Sequence, residues 1–222
     1  MLNKEQIYRD TKIWYTTLKD GEGVSKNLID FVKQYAGKKV LDFGCATGAY
    51  CLELNKQGFE CFGVDVNKNY INIARKKGVE AYAIKERLPF DDYFFDTVIM
   101  FELLEHVKNP EAVLTEAKRV AQKNILVTVP DCSEFDLLRS LGLTYEHFLE
   151  LDHVNFFTKK NIENLMSKKF AKFKVKQNEP IFLWKEELPR WASKPISLLY
   201  KLKFFKTKIY YRLYIIIDLV AD

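Results

Sequence analysis

An α/β fold, with a mostly parallel twisted sheet and helices on both faces, is what this sequence predicts, on three observations. Between Lys39 and Pro130 short apolar runs alternate with amphipathic stretches. Glycines such as Gly58 and Gly78 fall where the amphipathic stretches should stop. One apolar run passes directly into a small glycine-bearing loop and then into helical sequence, "VLDFGCATGAY", Val40 to Tyr50. Repeated strand–helix units of this kind build parallel sheets through right-handed crossovers.

In chain order, "KVLDF", "FECFGVD", "EAYAI", "FDTVIM" and "NILVTVP" read as strands, since each is a short run rich in apolar and β-branched residues. Between them "AYCLELNKQG", "KNYINIARKKG" and "PEAVLTEAKRV" carry the helical period. Residues 1–36 read as an N-terminal helical cover and 37–188 as the core. Within the core, the polar and aromatic segment 131–158 is expected to cover the carboxyl ends of the strands, where ligands bind in open α/β sheets. Residues 189–222 read as a basic, aromatic, helical tail, because Leu198, Leu202, Phe205, Ile209, Leu213, Ile216 and Val220 recur at helical spacing.

Composition narrows the function. A 48% hydrophobic and 29% charged chain of 222 residues suits one cored domain with additions. The net charge of +5 is modest and interspersed, so no nucleic-acid partner is expected. Cys45, Cys51, Cys61 and Cys132 form no CxxC pair and have no histidine at ligand spacing. They read as reduced, buried thiols in a cytoplasmic protein, with no metal site. No signal peptide and no membrane-spanning segment are expected.

The loop then has to be matched to a nucleotide. A dinucleotide fingerprint would read GxGxxG, with a pyrophosphate at the helix N-terminus. Here the order is Gly44-x-Ala46-x-Gly48, and Asp42 stands two residues ahead of the first glycine. A carboxylate there repels a pyrophosphate and suits a cofactor with sulfonium and ammonium charges. Asp65 ends the second strand in "GVD", the place for a carboxylate that accepts from two ribose hydroxyls. The expectation is an adenosine without phosphates.

With these residues assembled, the chain resembles a class I S-adenosylmethionine-dependent methyltransferase of the small-molecule group that includes ubiquinone-biosynthesis O-methyltransferases. The likeness runs over about residues 25 to 175 and rests on "VLDFGCATG", "GVD", "LPFDDYFFDTVIMFELLEHV" and "NILVTVP". It implies a Rossmann-like fold with an antiparallel C-terminal edge strand. It also implies S-adenosyl-L-methionine as cofactor, with Gly44, Cys45 and Ala46 laying backbone against it and Gly48 allowing the close turn. Asp42 would orient the methionine amino group and Asp65 would take the ribose, with Val66 and Phe101 at the cofactor's edge. Where members with the "LPF" element commonly carry Asp-Ala near adenine, this chain has Ile84 and Lys85, so their backbone or the Glu86 carboxylate would take that role. The family's turn before the fifth strand is replaced by Gln122-Lys123-Asn124, expected to be a loop away from the chemistry.

Methyl transfer is an in-line displacement that positioning largely achieves, and a base is needed only when a hydroxyl must lose its proton. His153, in the covering segment, is the first candidate for that base. His106 could contact substrate or cofactor edge, or serve a structural cap. His147 reads as structural. Tyr8, Trp14, Tyr15, Tyr145, Phe156 and Phe157 are candidates for a lid or for ordinary core. The expected reaction is methyl transfer to a small-molecule hydroxyl, on a quinone-like, sugar or lipid-linked acceptor. The rivals are a nicotinamide-dependent oxidoreductase and a non-catalytic cofactor-binding module. If the tail helix lies on an anionic membrane, residues 189–222 give peripheral contact; otherwise the helix packs on the core or on a second copy. Oligomeric state is left open.

Overall fold

The computed structural model describes residues 23–85, 87–140, 152–181 and 207–219. Its elements are α1 (Lys26–Tyr35), β1 (Lys39–Phe43), α2 (Ala49–Lys56), β2 (Glu60–Asp65), α3 (Lys68–Lys76), β3 (Glu80–Ala83) and β4 (Phe95–Phe101). They continue with α4 (Pro110–Val120), β5 (Ala121–Pro130), α5 (Phe135–Ser140), α6 (Lys159–Ser167), β6 (Phe173–Pro180) and β7 (Tyr210–Asp218). The strands form a seven-stranded sheet in the order β3-β2-β1-β4-β5-β7-β6. β1 to β5 pair in parallel, and β7 runs antiparallel to both β5 and β6. The antiparallel strand is thus one in from the edge, with β6 outermost.

Alternation along the strands sends side chains to two separate cores. Leu41, Phe43, Val98, Met100, Ile125, Val127, Leu213 and Ile215 face one layer, which α4 and α6 cover through Leu114, Ala117, Ile162 and Met166. Val40, Ile99, Phe101, Leu126 and Tyr214 face the other, covered by α1, α2 and α3 through Leu28, Phe31, Leu54, Ile71 and Ala74. The helices start where short polar side chains cap them. Asn67 accepts from the backbone of Asn69 and Tyr70, and Asn109 accepts from Ala112 with Pro110 in the first turn.

Two parts of the sequence reading need correction. The tail read as a helix over 189–222 is a strand from Tyr210 to Asp218, hydrogen-bonded along its length between β5 and β6. The cause is burial on both faces. An interior strand has no solvent side, so its apolar residues run together, and Ile209, Leu213 and Ile216 fall at helical spacing by coincidence. The run of β-branched Ile215, Ile216 and Ile217 is the signal that favours a strand. These residues belong to the core and cannot also form the apolar face of a surface helix; residues 189–206 and 220–222 lie outside the described residues. Gln122, Lys123 and Asn124 are likewise strand rather than loop, since β5 begins directly after α4. Asn124 there accepts from Thr97 Oγ1 at 2.6 Å and donates to the Tyr35 carbonyl at 2.7 Å. No described helix is long and apolar enough to cross a membrane.

Candidate active site

The carboxyl ends of β1, β2, β4 and β5 share one edge with the start of β7. At the β1 end, the loop Gly44–Gly48 is tied to β2: the Gly44 and Cys45 N–H groups both donate to the Val64 carbonyl, at 2.8 and 3.0 Å. Gly44 has φ 92, and a Cβ there would stand 2.9 Å from Leu103 Cδ1, so the loop passes where only glycine fits. Ala46 also lies in the left-handed region, at φ 45. Asp65 holds it there: Oδ2 accepts from the Ala46 N–H at 3.0 Å while Oδ1 accepts from Asn67 at 2.8 Å. A carboxylate expected to meet a ribose therefore also braces the loop, with lone pairs left over on both oxygens.

Asp42 is buried, 3% exposed, and its hydrogen-bond partner is the Cys51 thiol at 3.6 Å. Burial pushes its pKa up to about 7, opposed by the thiol and assisted by the nearby Asp65 charge. A buried carboxylate with no cationic partner among the described residues fits a cofactor that brings cationic groups with it, and is ill suited to phosphates. Cys45 points away from the loop's open side; its sulfur packs against β2, where a Cβ on Gly63 would come within 2.6 Å of it. Desolvation raises its pKa and that of Cys51, so these thiols are packing groups rather than nucleophiles.

Around this loop, Val66 is 71% exposed, an apolar side chain set in the open beside Asp65. Ile84 is buried and its N–H donates to the Asp65 carbonyl at 3.0 Å, which brings the end of β3 to the same edge, and Lys85 is exposed. Glu86 lies outside the described residues. Phe101 closes β4, 5.4 Å from the Tyr50 ring. Tyr50, in the first turn of α2, accepts from the Ser25 N–H at 3.1 Å and so joins α1 to the loop helix. Burial pushes its phenol up to about 12.

On the far side of the edge, residues 102–107 after β4 form bends and turns. They are clamped to the covering segment: the Val154 and Asn155 N–H groups donate to the Glu105 carbonyl, and the Asn155 amide donates to the carbonyls of Leu104 and Val107. This clamp brings His106 and His153 together, with ring centroids 4.6 Å apart. His106 Nδ1 lies 3.7 Å from Asp152. Glu105, His106 and His153 each present a ligand atom, all within 4.8 Å of one another, and could hold a metal ion. Spacing rules for metal ligands miss such a group because one of its three members, His153, comes from a segment about 50 residues away.

Phe156 is 40% exposed and Phe157 is core; Tyr8, Trp14, Tyr15, Tyr145 and His147 lie outside the described residues. Sequence reasoning missed Tyr50, Leu103, Glu102 and Arg212. Glu102 sits inside the quoted "FELLEHV", and its signal, a left-handed backbone at φ 49, exists only in three dimensions.

Residues 20–170 match a methyltransferase-domain family. The chain belongs to that methyltransferase family. It is 29% identical over 171 residues to an uncharacterised protein of Methanocaldococcus jannaschii, covering 73% of this chain and 78% of that one. A ubiquinone biosynthesis O-methyltransferase of Hahella chejuensis is 31% identical over 105 residues, covering 42% of this chain and 44% of the relative, so the match to that enzyme spans less than half of it. The fold of a SAM-dependent methyltransferase from Archaeoglobus fulgidus superposes with a TM-score of 0.68 at 18% identity, covering 94% of this chain and 99% of that one. The methyltransferase is an enzyme that uses S-adenosylmethionine, and the oxidoreductase alternative has no support among these relatives.

Proposed function

We propose that this methyltransferase transfers the methyl group to a hydroxyl oxygen of a small molecule, with the cofactor lying across the carboxyl ends of β1 and β2. The observation that carries the placement is Asp42, a buried carboxylate beside the glycine loop whose only side-chain hydrogen-bond partner among the described residues is a thiol. The cofactor supplies a methyl group already activated on cationic sulfur. Asp42 would face the methionine ammonium, Asp65 would accept from the ribose while bracing Ala46, and the Gly44 to Gly48 backbone would line the chain between them. Val66 and the end of β3 at Ile84 and Lys85 would border the adenine, through apolar contact and backbone groups.

The acceptor would enter between the loop after β4 and the covering segment, where His106 and His153 meet. His153 would take the hydroxyl proton as the new bond forms. Oxygen as the methylated atom is supported by the likeness to the ubiquinone O-methyltransferase, and a quinone-like phenol is the acceptor to try first. A second reading of the same histidines is favoured by their convergence with Glu105: the three side chains would hold a divalent cation that binds the acceptor oxygen and lowers its pKa. Turnover of a catechol in the presence of EDTA separates the two. A base mechanism ignores the chelator, whereas a metal mechanism stops and recovers with added Mg²⁺ or Zn²⁺. In either case His153→Ala should lower turnover roughly a hundredfold while changing S-adenosylhomocysteine affinity less than twofold. Near-normal turnover in the variant would remove His153 from the chemistry.

A further inference from the structure

Glu102, the first residue after β4, is held in an unusual way. Its backbone is left-handed at φ 49, and its N–H donates to the Thr128 carbonyl at 3.1 Å. Among the described residues, all the anchoring of its carboxylate falls on one oxygen. Thr128 Oγ1 donates to Oε1 at 2.9 Å, and Arg212 Nε stands 3.2 Å from the same atom, an ion pair without hydrogen-bond alignment. Arg212 comes from β7 and is itself braced: Nη1 donates to Glu179 at 2.5 Å, and the guanidinium lies 4.4 Å from the Tyr211 ring. Glu179, also left-handed at φ 58, accepts a further bond from the Tyr214 hydroxyl at 2.5 Å. Among the described residues Glu102 Oε2 takes no hydrogen bond, and the side chain as a whole is 28% exposed.

A carboxylate pinned through one oxygen and open through the other is arranged to meet a ligand, beyond any part it plays in joining strands. Strained non-glycine backbone gathers at such places. Its position agrees. Glu102 lies between Phe101 and Leu103, the side chain that covers Gly44, and Tyr50 feels the charges of Arg212, Asp42 and Glu102 together. Burial raises the pKa of Glu102, and Arg212 and Thr128 work against that rise.

Resting on the cofactor placement above, we propose that Glu102 is a substrate-side carboxylate of the methyl-transfer centre, with Oε2 facing the reacting atoms and Arg212 and Thr128 as positioning residues. In the transfer, an acceptor lone pair forms the bond to carbon while the carbon–sulfur pair returns to sulfur, which leaves as a neutral thioether. Positive charge thereby moves from sulfur to the acceptor atom until the acceptor proton leaves. A fixed anion beside that line favours the cationic cofactor over its neutral product and stabilises the charge as it moves.

The test needs no acceptor. Titration calorimetry compares sinefungin, which carries an amine cation near the sulfur position, with neutral S-adenosylhomocysteine, on the full chain. Glu102→Gln can still accept from Thr128, and it should weaken sinefungin at least fivefold while changing S-adenosylhomocysteine less than twofold. Glu102→Asp, which keeps the charge but withdraws it, should lose part of the same preference and serves if the first variant does not fold. Arg212→Lys should keep the preference within twofold. Equal losses for both ligands would make Glu102 a structural residue and overturn the proposal, as would no change in either. Failure of the wild-type chain to bind either ligand would instead sink the cofactor placement itself.

Discussion

The two halves of the ligand-binding edge are built differently. On the β1–β2 side, the loop from Asp42 to Gly48 and the strand end at Asp65 come from about two dozen consecutive residues. They are tied by backbone hydrogen bonds to Val64 and by one carboxylate. On the β4–β5–β7 side, the groups come from across the chain: Glu102 and His106 after β4, Thr128 in β5, His153 in the covering segment, Glu179 in β6 and Arg212 in β7. The first half suits a cofactor common to a whole family. The second is assembled by tertiary contacts, and a substitution at its acceptor-side histidine, His153, is expected to change turnover more than cofactor affinity. Specificity can therefore diverge on one side while the other stays fixed.

The largest expected effect breaks the second half outright. A chain truncated after Leu188 lacks β7. Leu213, Tyr214, Ile215 and Ile217 are all buried there. At about 1.5–3 kcal/mol for each large apolar side chain, their loss is comparable with the whole stability of a domain. The truncated chain should show no cooperative melting by circular dichroism; a sharp transition near that of the full chain would remove β7 from the core.

Asp65→Ala acts on the first half and should be milder. It deletes the carboxylate proposed to meet the ribose and two braces, to Ala46 and Asn67. Hydrogen bonds to charged groups contribute about 1.5–3 kcal/mol, so S-adenosylhomocysteine should bind roughly ten- to a hundredfold more weakly. An unchanged dissociation constant would place the ribose elsewhere. The smallest effect sharpens the same loop. Ala46 sits at φ 45, where a side chain costs roughly 1–2 kcal/mol. Ala46→Gly should therefore leave cofactor binding within a fewfold, and should stabilise the fold only to the extent that relief of strain exceeds the added freedom of the unfolded chain. A large loss of affinity would mean that the alanine methyl itself contacts the cofactor.

The same contrast explains what was legible in the sequence. β1 and α4 were readable to the residue, because their hydrophobic patterns and caps are local. Asp42, Gly44, Gly48 and Asp65 could be singled out for the same reason, and the structure brings them to one edge. β7 was misread because an interior strand carries no polar alternation, and the pairing that identifies it lies with β5 and β6, far away in sequence. Arg212 accordingly looked like one more basic residue of a tail, when it is a partner of Glu102 and Glu179. His106 and His153 could be named separately, but their 4.6 Å approach depends on the Asn155 clamp, which no spacing rule encodes.

The central claim is that the buried Asp42 carboxylate receives the cationic end of the cofactor. Because its folded pKa, about 7, lies above the usual carboxylate value, the folded free chain holds this proton between roughly pH 4 and 7, and stability drawn from it declines as pH rises through that window. A bound cation should favour the ionised form and drive the proton off. Calorimetry of S-adenosylhomocysteine binding at pH 6, in two buffers of different ionisation enthalpy, measures that release. The wild-type chain should release close to one proton, with affinity rising toward a plateau above about pH 7, and Asp42→Asn should bind more weakly and release none. Binding with no proton release, or the same release in the variant, would contradict the assignment of Asp42 to the cofactor.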